Sequence, residues 1–228
     1  MKFRDILRYV FFTKRCPCCM KVIYPFEEMC KDCAGKLKPI NEICNWCGNR
    51  KDNCDCRYRN FVFAKVTAPF ENSGSAKNGI YRLKFSGFLQ AADYYSKQMA
   101  ECIKRDFRDV NIDLITAVPM FKKQRKRRGY NQAEVLAKSL SSVLKIPTNF
   151  KLLEKTKKTL TQHSLSFEER AKNVVGAYSV KKPLCGETVL LVDDIKTTGF
   201  TLNECAKQLL LNGAKAVYCV TAVITNPK

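Results

Sequence analysis

The sequence predicts an α/β fold with a parallel sheet, preceded by a small cysteine-rich module. Strand-like and helix-like segments alternate after residue 60, a pattern typical of parallel sheets. Nine of the 13 cysteines lie between Cys16 and Cys56. The apolar run 189–192 leads directly into two adjacent carboxylates. We therefore expect a metal-binding module over residues 1–60 and an α/β domain over residues 61–228.

The composition is that of a folded protein of the cell interior. Of the 228 residues, 46% are hydrophobic and 11% aromatic, which is enough for a real core. No apolar run approaches the roughly 20 residues that cross a bilayer. The apolar stretch "YVFF" near the start is too short for a secretory signal, and we interpret residues 1–16 as a short amphipathic helix. We expect a cytoplasmic protein without membrane insertion, in which clustered cysteines favour metal over disulfides.

Six segments carry the predicted secondary structure of the larger domain. Apolar runs bounded by turn residues predict strands, and apolar residues at helical spacing predict helices. The predicted strands are "FVFAKVTAPF" (61–70), "DLITAVP" (113–119), "TVLLV" (188–192) and "AVYCVTAVI" (216–224), and the predicted helices cover residues 133–144 and 202–210. The second helix would be N-capped by Thr201 and would stop at Asn212 and Gly213.

The cysteine pairs predict one or two structural zinc ions. A C-x-x-C pair places two thiolates on one tight turn, and two such turns complete a tetrahedral site with no open position. The simplest grouping is Cys16, Cys19, Cys30 and Cys33 for one ion and Cys44, Cys47, Cys54 and Cys56 for a second, with Cys18 spare. The one-residue spacing of the last pair leaves the second ion open, and ligands could interleave. Redox dithiols are the alternative, but four successive pairs exceed what one dithiol needs.

The remaining cysteines and the single histidine are expected to be structural. Cys102, Cys185, Cys205 and Cys219 are scattered along the larger domain and fit core positions, where a free cysteine behaves as a small hydrophobe. His163 fits a loop better than a ligand set.

The stretch "VLLVDDIKTTGFT" (189–201) predicts a site for a phosphorylated sugar. Asp193 and Asp194 follow a buried strand, and parallel sheets bind ligands at the carboxyl ends of their strands. Gly199 allows close approach of a phosphate, and the helix that follows offers N–H donors. Adjacent carboxylates would repel a phosphate unless they bind something between, and ribose hydroxyls and Mg²⁺ are the natural candidates. An ordinary strand–turn–helix explains the glycine and threonines but not the two acids.

Three motifs together resemble a known family. The stretch 189–201 is similar to the signature of type I phosphoribosyltransferases, which bind 5-phosphoribosyl-1-pyrophosphate (PRPP). With "AVPMFKKQRKRRGYNQAEVLA" and "TQHSLSFEERAKNVVGAY", nearly the whole chain resembles the ComF family of competence-associated proteins. The resemblance implies a zinc ribbon followed by a parallel-sheet domain of the type I phosphoribosyltransferase fold.

The resemblance also implies roles for individual residues. Asp193 and Asp194 would hold the ribose hydroxyls with Mg²⁺. The phosphate loop would comprise Lys196, Thr197, Thr198, Gly199 and Thr201, although small or acidic residues are commoner than lysine at position 196. By the logic of the fold, the turn Val118, Pro119 and Met120 would approach the pyrophosphate. The loop after that turn would be mobile and close over the site.

The basic run "KKQRKRRGYNQ" (122–132) admits three interpretations. It could be the loop that covers the pyrophosphate, or a track for single-stranded nucleic acid with Tyr130 or Phe121 as stacking surfaces. A merely solvated loop ranks third, because gathering six like charges without an anion is costly. The formal net charge of +20 also favours an acidic partner. The residues concerned are Lys122, Lys123, Arg125, Lys126, Arg127, Arg128 and Tyr130.

The resemblance places the protein in uptake of transforming DNA, as a partner of single strands and of other DNA-uptake proteins. Three functions compete: ribosyl-phosphate transfer to an unknown acceptor, PRPP sensing combined with DNA binding, and nucleobase salvage. The sequence offers no evident general base. Salvage is disfavoured, because it needs neither a zinc ribbon nor this positive charge. Gln162 and Arg170 could line an acceptor pocket or hold the loop.

Overall fold

The structure is a computed structural model that describes residues 13–40, 42–44, 46–49, 51, 54, 56, 61–157 and 167–225. Most of the predicted N-terminal helix lies outside these ranges, as do Gln162 and His163. The side chain of Arg170 is also outside the described part, although its backbone lies in a helix.

Helices and strands alternate along the larger domain, as the sequence predicts. The helices within the described ranges are α1 (Lys31–Ala34), α2 (Gly74–Phe85), α3 (Ala91–Asp106), α4 (Lys122–Arg128), α5 (Gln132–Leu144), α6 (Phe167–Val174) and α7 (Phe200–Leu211). The strands are β1 (Lys65–Thr67), β2 (Phe70–Glu71), β3 (Leu114–Ala117), β4 (Leu153–Lys155), β5 (Tyr178–Val180), β6 (Thr188–Lys196) and β7 (Ala216–Ile224).

A five-stranded parallel sheet forms the centre of the domain. Its order is β1-β7-β6-β3, and β2 pairs with β7 beyond the end of β1. The two inner strands, β6 and β7, are apolar along most of their length because a parallel sheet is covered on both faces. Strands β4 and β5 form a separate antiparallel pair.

Helices pack on both faces of the sheet, and side chains of β6 alternate between them. Leu190 and Val192 join the core formed with α2, α3 and α5. Val189 and Leu191 join the core on the opposite face, formed with α6, α7 and the β4–β5 pair. This alternation follows from the two-residue period of a strand and decides where the acids after Val192 point.

The cysteine-rich module pairs with the edge of the sheet. The backbone N–H of Ile40 donates to the Pro69 carbonyl at 2.9 Å, and that of Glu71 donates to the Lys38 carbonyl at 3.0 Å. Ile40 and Ile43 pack with Ala68 and Ile224. A division of the chain near residue 60 stays a prediction, since residues 57–60 lie outside the described ranges.

The predicted strands at 113–119, 188–192 and 216–224 and both predicted helices are confirmed, with three differences. Strand β6 continues to Lys196, so the acids lie within it rather than after it. Helix α7 begins at Phe200 with Gly199 as N-cap, so the prediction of Thr201 as N-cap is wrong. The stretch "FVFAKVTAPF" yields two short strands instead of one, which are separated by Ala68 and Pro69.

Two further expectations need correction. The basic run does not form a loop: residues 122–128 are the helix α4, because arginine and lysine are good helix formers. Cys185 is exposed and not a core residue, whereas Cys102, Cys205 and Cys219 are buried as expected. Across the described ranges, no helix combines the length and apolar character that crossing a bilayer requires.

Candidate functional site

The two acids of β6 lie in different surroundings because neighbouring side chains leave a strand on opposite faces. Asp194 is 3% exposed, and its Oδ2 lies 2.7 Å from Nζ of Lys84, at the end of α2. Asp193 is partly buried, and its Oδ1 accepts a hydrogen bond from the backbone N–H of Asp194 at 2.8 Å. Lys84 and Lys155 both act electrostatically on its carboxylate.

Burial brings the charges of this site close to their titration points. Desolvation raises the pKa of Asp193 to about 7, although the attraction of Lys84 and Lys155 acts to lower it. Burial likewise lowers the pKa of Lys84 to about 8, against the attraction of Asp193 and with the repulsion of Arg128. Near neutral pH a cation or a hydroxyl donor that stabilises the carboxylate of Asp193 would therefore complete its ionisation.

Lys84 is a residue of this site that the sequence did not reveal. It lies in "YRLKFSG", where one lysine among charged and aromatic residues looks like a solvated helix position. Only the fold brings α2 against the end of β6, over a separation of more than 100 residues. The pattern of the sequence held no signal for this contact.

The turn between β6 and α7 has the form expected of a phosphate loop. Gly199 has φ +86°, a conformation that glycine adopts without strain, and it caps α7. A Cβ at Gly199 would lie 3.1 Å from Cζ of Phe61, so a side chain there would also be crowded. Thr198 is buried, and Thr197 and Thr201 are partly buried. The N-terminus of α7 provides N–H donors and the positive end of the helix dipole.

Lys196 extends away from the solvent side of this loop. Its side chain is 1% exposed, and Nζ donates a hydrogen bond to Oδ1 of Asn49 at 2.9 Å. The ammonium therefore lies against the cysteine-rich module. Direct contact of Lys196 with a phosphate stays a prediction.

The turn at Val118, Pro119 and Met120 lies beside the acids. The N–H of Val118 donates to the carbonyl of Val192 at 2.9 Å, which ties the turn to the residue before Asp193. Asn131 fixes the turn from the other side, since its Nδ2 donates to the Val118 carbonyl at 3.0 Å. The Oδ1 of the same residue accepts from the Ala133 N–H at 3.1 Å and so caps α5.

The basic helix α4 is attached at its C-terminal end to α2. The guanidinium of Arg128 lies 5.1 Å from the centroid of the Phe85 ring and donates to Oε1 of Gln132. Tyr130 Oη donates to the carbonyl of Leu83. The other five cations of the run are exposed: Lys122, Lys123, Arg125, Lys126 and Arg127.

The cysteine-rich module brings eight thiols into two groups. Within each group the sulfur atoms all lie within 4.8 Å of one another; the groups are Cys16, Cys19, Cys30 and Cys33, and Cys44, Cys47, Cys54 and Cys56. A tetrahedral zinc site with bonds of about 2.3 Å has sulfurs about 3.8 Å apart. The Cys19–Cys30, Cys44–Cys56 and Cys47–Cys54 sulfurs are separated by 3.6, 3.7 and 3.6 Å, close to this spacing. The Cys54–Cys56 sulfurs of the C-x-C pair are only 3.1 Å apart, so the second group would have to open slightly around a zinc ion.

Cys18 belongs to neither group. Its sulfur lies 3.7 Å from Oη of Tyr95, and burial raises the pKa of its thiol to about 12. It is therefore a core residue at the contact between the module and α3.

Comparison with known proteins agrees with this description. Residues 130–228 match the family model described as a phosphoribosyl transferase domain. The chain is 35% identical over 141 residues to DNA utilization protein YhgH of Escherichia coli (strain K12), covering 60% of this chain and 62% of that protein. It is 39% identical over 108 residues to Competence protein F of Haemophilus influenzae, covering 46% and 47%. It is 26% identical over 148 residues to Competence protein ComFC of Bacillus subtilis, covering 61% and 55%.

These matches and the parallel sheet establish the type I phosphoribosyltransferase fold. The motifs of the sequence predict a resemblance to competence proteins, and the relatives named Competence protein F and ComFC confirm it. The matched segments span between 47% and 62% of the length of these three relatives.

Replacing Lys84 by methionine should destabilise the protein. The change leaves the buried carboxylate of Asp194 without its counter-charge, which costs about 3 kcal/mol of unfolding free energy. Denaturant unfolding at pH 7 measures this loss, and Lys77→Met on the exposed face of α2 is the matched control. Equal unfolding free energies of the two variants would show that the Lys84–Asp194 pair does not stabilise the protein.

Proposed function

We propose that this chain binds PRPP and acts in DNA uptake as a cytoplasmic phosphoribosyltransferase-like protein that also binds single-stranded DNA. One observation carries the first part of the proposal. Asp193 and Asp194 precede the loop that leads into α7, and the N–H of Val118, in the turn at residues 118–120, bonds to the carbonyl of Val192 beside them. Both acids lie in the segment that matches the phosphoribosyl transferase family model.

Each part of PRPP has a chemically suitable neighbour at this site. The ribose hydroxyls can donate to the carboxylates of the acid pair, and the 5-phosphate suits the N–H donors at the start of α7. The pyrophosphate suits the backbone of the turn at 118–120. Mg²⁺, when bound with PRPP, would neutralise the pyrophosphate, and Asp193 and Asp194 are the oxygen donors on this edge that could hold it.

Binding of the ligand would change the partner of the Lys84 ammonium. In this structure its ammonium neutralises Asp194. A ligand that brings Mg²⁺ supplies a competing positive charge, so Lys84 becomes available to an anionic group of the same ligand. Without the ligand, the lysine therefore balances the charge of Asp194.

Single-stranded DNA is supported as a partner by charge, by exposed aromatic rings and by the relatives' names. The exposed cations of α4 provide sites for phosphates. Beside them, Tyr81 and Phe85 are each 61% exposed, with ring centroids 4.8 Å apart. Such rings are surfaces on which bases stack. They suit stacking better than Tyr130, which is partly buried with its hydroxyl bound to Leu83.

Binding of PRPP with Mg²⁺ should strengthen as the pH rises from 6 to 8. The carboxylate form of Asp193 accepts hydroxyl donors and the metal, and this form appears as the pH passes its pKa of about 7. Isothermal calorimetry across this range measures the effect. The variant Asp193→Asn is the control, because it keeps the pH dependence of the ligand's own phosphates and loses that of the carboxyl group.

The double variant Asp193→Asn, Asp194→Asn should lose PRPP binding altogether. Unchanged affinity of this variant for PRPP would refute the assignment of the site. If the wild type and Asp193→Asn show the same pH profile, only the role of the Asp193 charge is refuted, and the assignment of the site stands.

We also propose that both cysteine groups hold structural zinc. All four positions of each ion are then filled by thiolates, and the metal supplies folding energy to a module too small for a large core. Metal analysis of the purified protein should give two zinc ions per chain. A value of one would refute the second group, whose C-x-C spacing is the less regular.

The affinity for single-stranded DNA should fall steeply with salt and depend on α4. Removing two charges with Lys123→Gln and Arg127→Gln should reduce the slope of log affinity against log salt by about 1.4. The variant Lys207→Gln, Lys215→Gln removes the same charge from exposed positions on and after α7 and should keep the slope. Equal slopes in both double variants, or a flat response of the wild type, would exclude α4 as the DNA contact.

A further inference from the structure

Asn49 connects the second cysteine group to the phosphate loop. It is fully buried and follows Cys47 by two positions. Its Oδ1 accepts a hydrogen bond from Nζ of Lys196, the last residue of β6 before the loop. One side chain of the module therefore reaches the base of the proposed ligand site.

The backbone of Asn49 is held by the cysteine turn itself. Its N–H donates a hydrogen bond to the sulfur of Cys47, and its carbonyl accepts from the N–H of Cys44 at 2.8 Å. The N–H of Gly48 donates to the Cys44 carbonyl at 2.7 Å and closes the same turn. The position of the Asn49 side chain is consequently set by the geometry around two thiols of the group.

Close packing fixes this turn against the sheet. Gly48 has φ +70°, and a Cβ at this position would lie 2.8 Å from Cγ1 of Val66 and 3.0 Å from Cδ1 of Ile224. The backbone of the turn therefore lies directly on β1 and β7. Because this contact has no free space, a rearrangement of the cysteines must also move the backbone of the turn.

Lys196 transmits the position of Asn49 to the loop. Its side chain runs beneath the turn, and its Cε would be 3.4 Å from a Cβ on Gly199. A buried ammonium needs its hydrogen-bond acceptors, because burying the charge without them is costly. If the Asn49 acceptor moves, this hydrogen bond is lost or the ammonium follows the acceptor, and either change disturbs the support of Gly199.

We propose that Asn49 is a positioning residue through which the metal-bound second cysteine group holds the phosphate loop in its binding conformation. Residues that hydrogen-bond to metal ligands commonly fix the geometry around a metal. Here the effect runs in the opposite direction: the zinc site fixes Asn49, and Asn49 in turn positions an anion site in another part of the fold. The inference rests on the proposed function for the role of the loop, but its test needs no PRPP.

Amide hydrogen exchange followed by mass spectrometry tests the proposal on the full chain. In Asn49→Leu, which keeps the size and loses the acceptor, residues 197–201 should exchange roughly tenfold faster than in the wild type. Asn49→Asp restores an acceptor for the ammonium and should keep the wild-type protection. The control Asn212→Leu removes a side-chain hydrogen bond to the Gln208 carbonyl at the far end of α7 and should leave the loop unchanged.

Three further variants separate this coupling from a general loss of stability. Cys56→Ser in the second group should reproduce the local increase, and Cys30→Ser in the first group should not. In a Lys196→Met background, Asn49→Leu should have no additional effect on the loop, because the connection is already broken.

Several results would overturn the proposal. Unchanged exchange of 197–201 in Asn49→Leu would do so, as would an equal increase throughout β6 and β7 or an equal response to Cys30→Ser. If PRPP fails to bind in calorimetry while the local exchange effect is present, the proposed function is refuted and the coupling stands.

Discussion

The structure depends on the placement of two adjacent carboxylates near the end of an inner strand of a parallel sheet. Such a strand is covered on both faces, so its two acids point into opposite faces of the sheet, away from bulk water. Each carboxylate therefore needs a cation nearby to compensate its charge. Lys84 of α2 serves Asp194, and Lys155 of β4 acts with Lys84 on Asp193. The same strand ends at Lys196, whose charge is directed to Asn49 of the cysteine-rich module. Elements from three distant parts of the chain are thus held around β6 by the need to compensate buried charge.

Much of the fold and part of the site follow from local patterns. Apolar runs located β3, β6 and β7, helical spacing located α5 and α7, and the acids with Gly199 marked the ligand edge. Three features did not follow because they depend on tertiary contact. Lys84 looks like a surface lysine until α2 packs against β6. The burial of Lys196 against Asn49 depends on packing of the module, more than 100 residues away in the chain. The basic run looked like a mobile loop, but it is a helix attached through Arg128 to Phe85.

The arrangement also gives the cysteine-rich module a reason to be joined to this fold. The module closes one edge of the sheet through residues 38–40 and reaches the proposed phosphate loop through Asn49. On the other side of the site, α4 presents exposed cations next to the rings of Tyr81 and Phe85. In the proposed function, a sugar-phosphate site whose base is supported by zinc, and whose border is basic and aromatic, would combine recognition of PRPP with recognition of a single strand. Because Arg128 lies between α4 and α2, the two surfaces share one element of structure.

The central claim is that the acids of β6, the start of α7 and the turn at 118–120 form one continuous site. Comparison of the Kd values for PRPP, ribose 5-phosphate and pyrophosphate, each with Mg²⁺, tests it most directly. If the three segments act together, PRPP should bind at least about a hundredfold more tightly than either fragment, because the second contact is made within the same complex. Each fragment should also compete with PRPP. PRPP binding no tighter than that of ribose 5-phosphate, or pyrophosphate that fails to compete, would contradict the account.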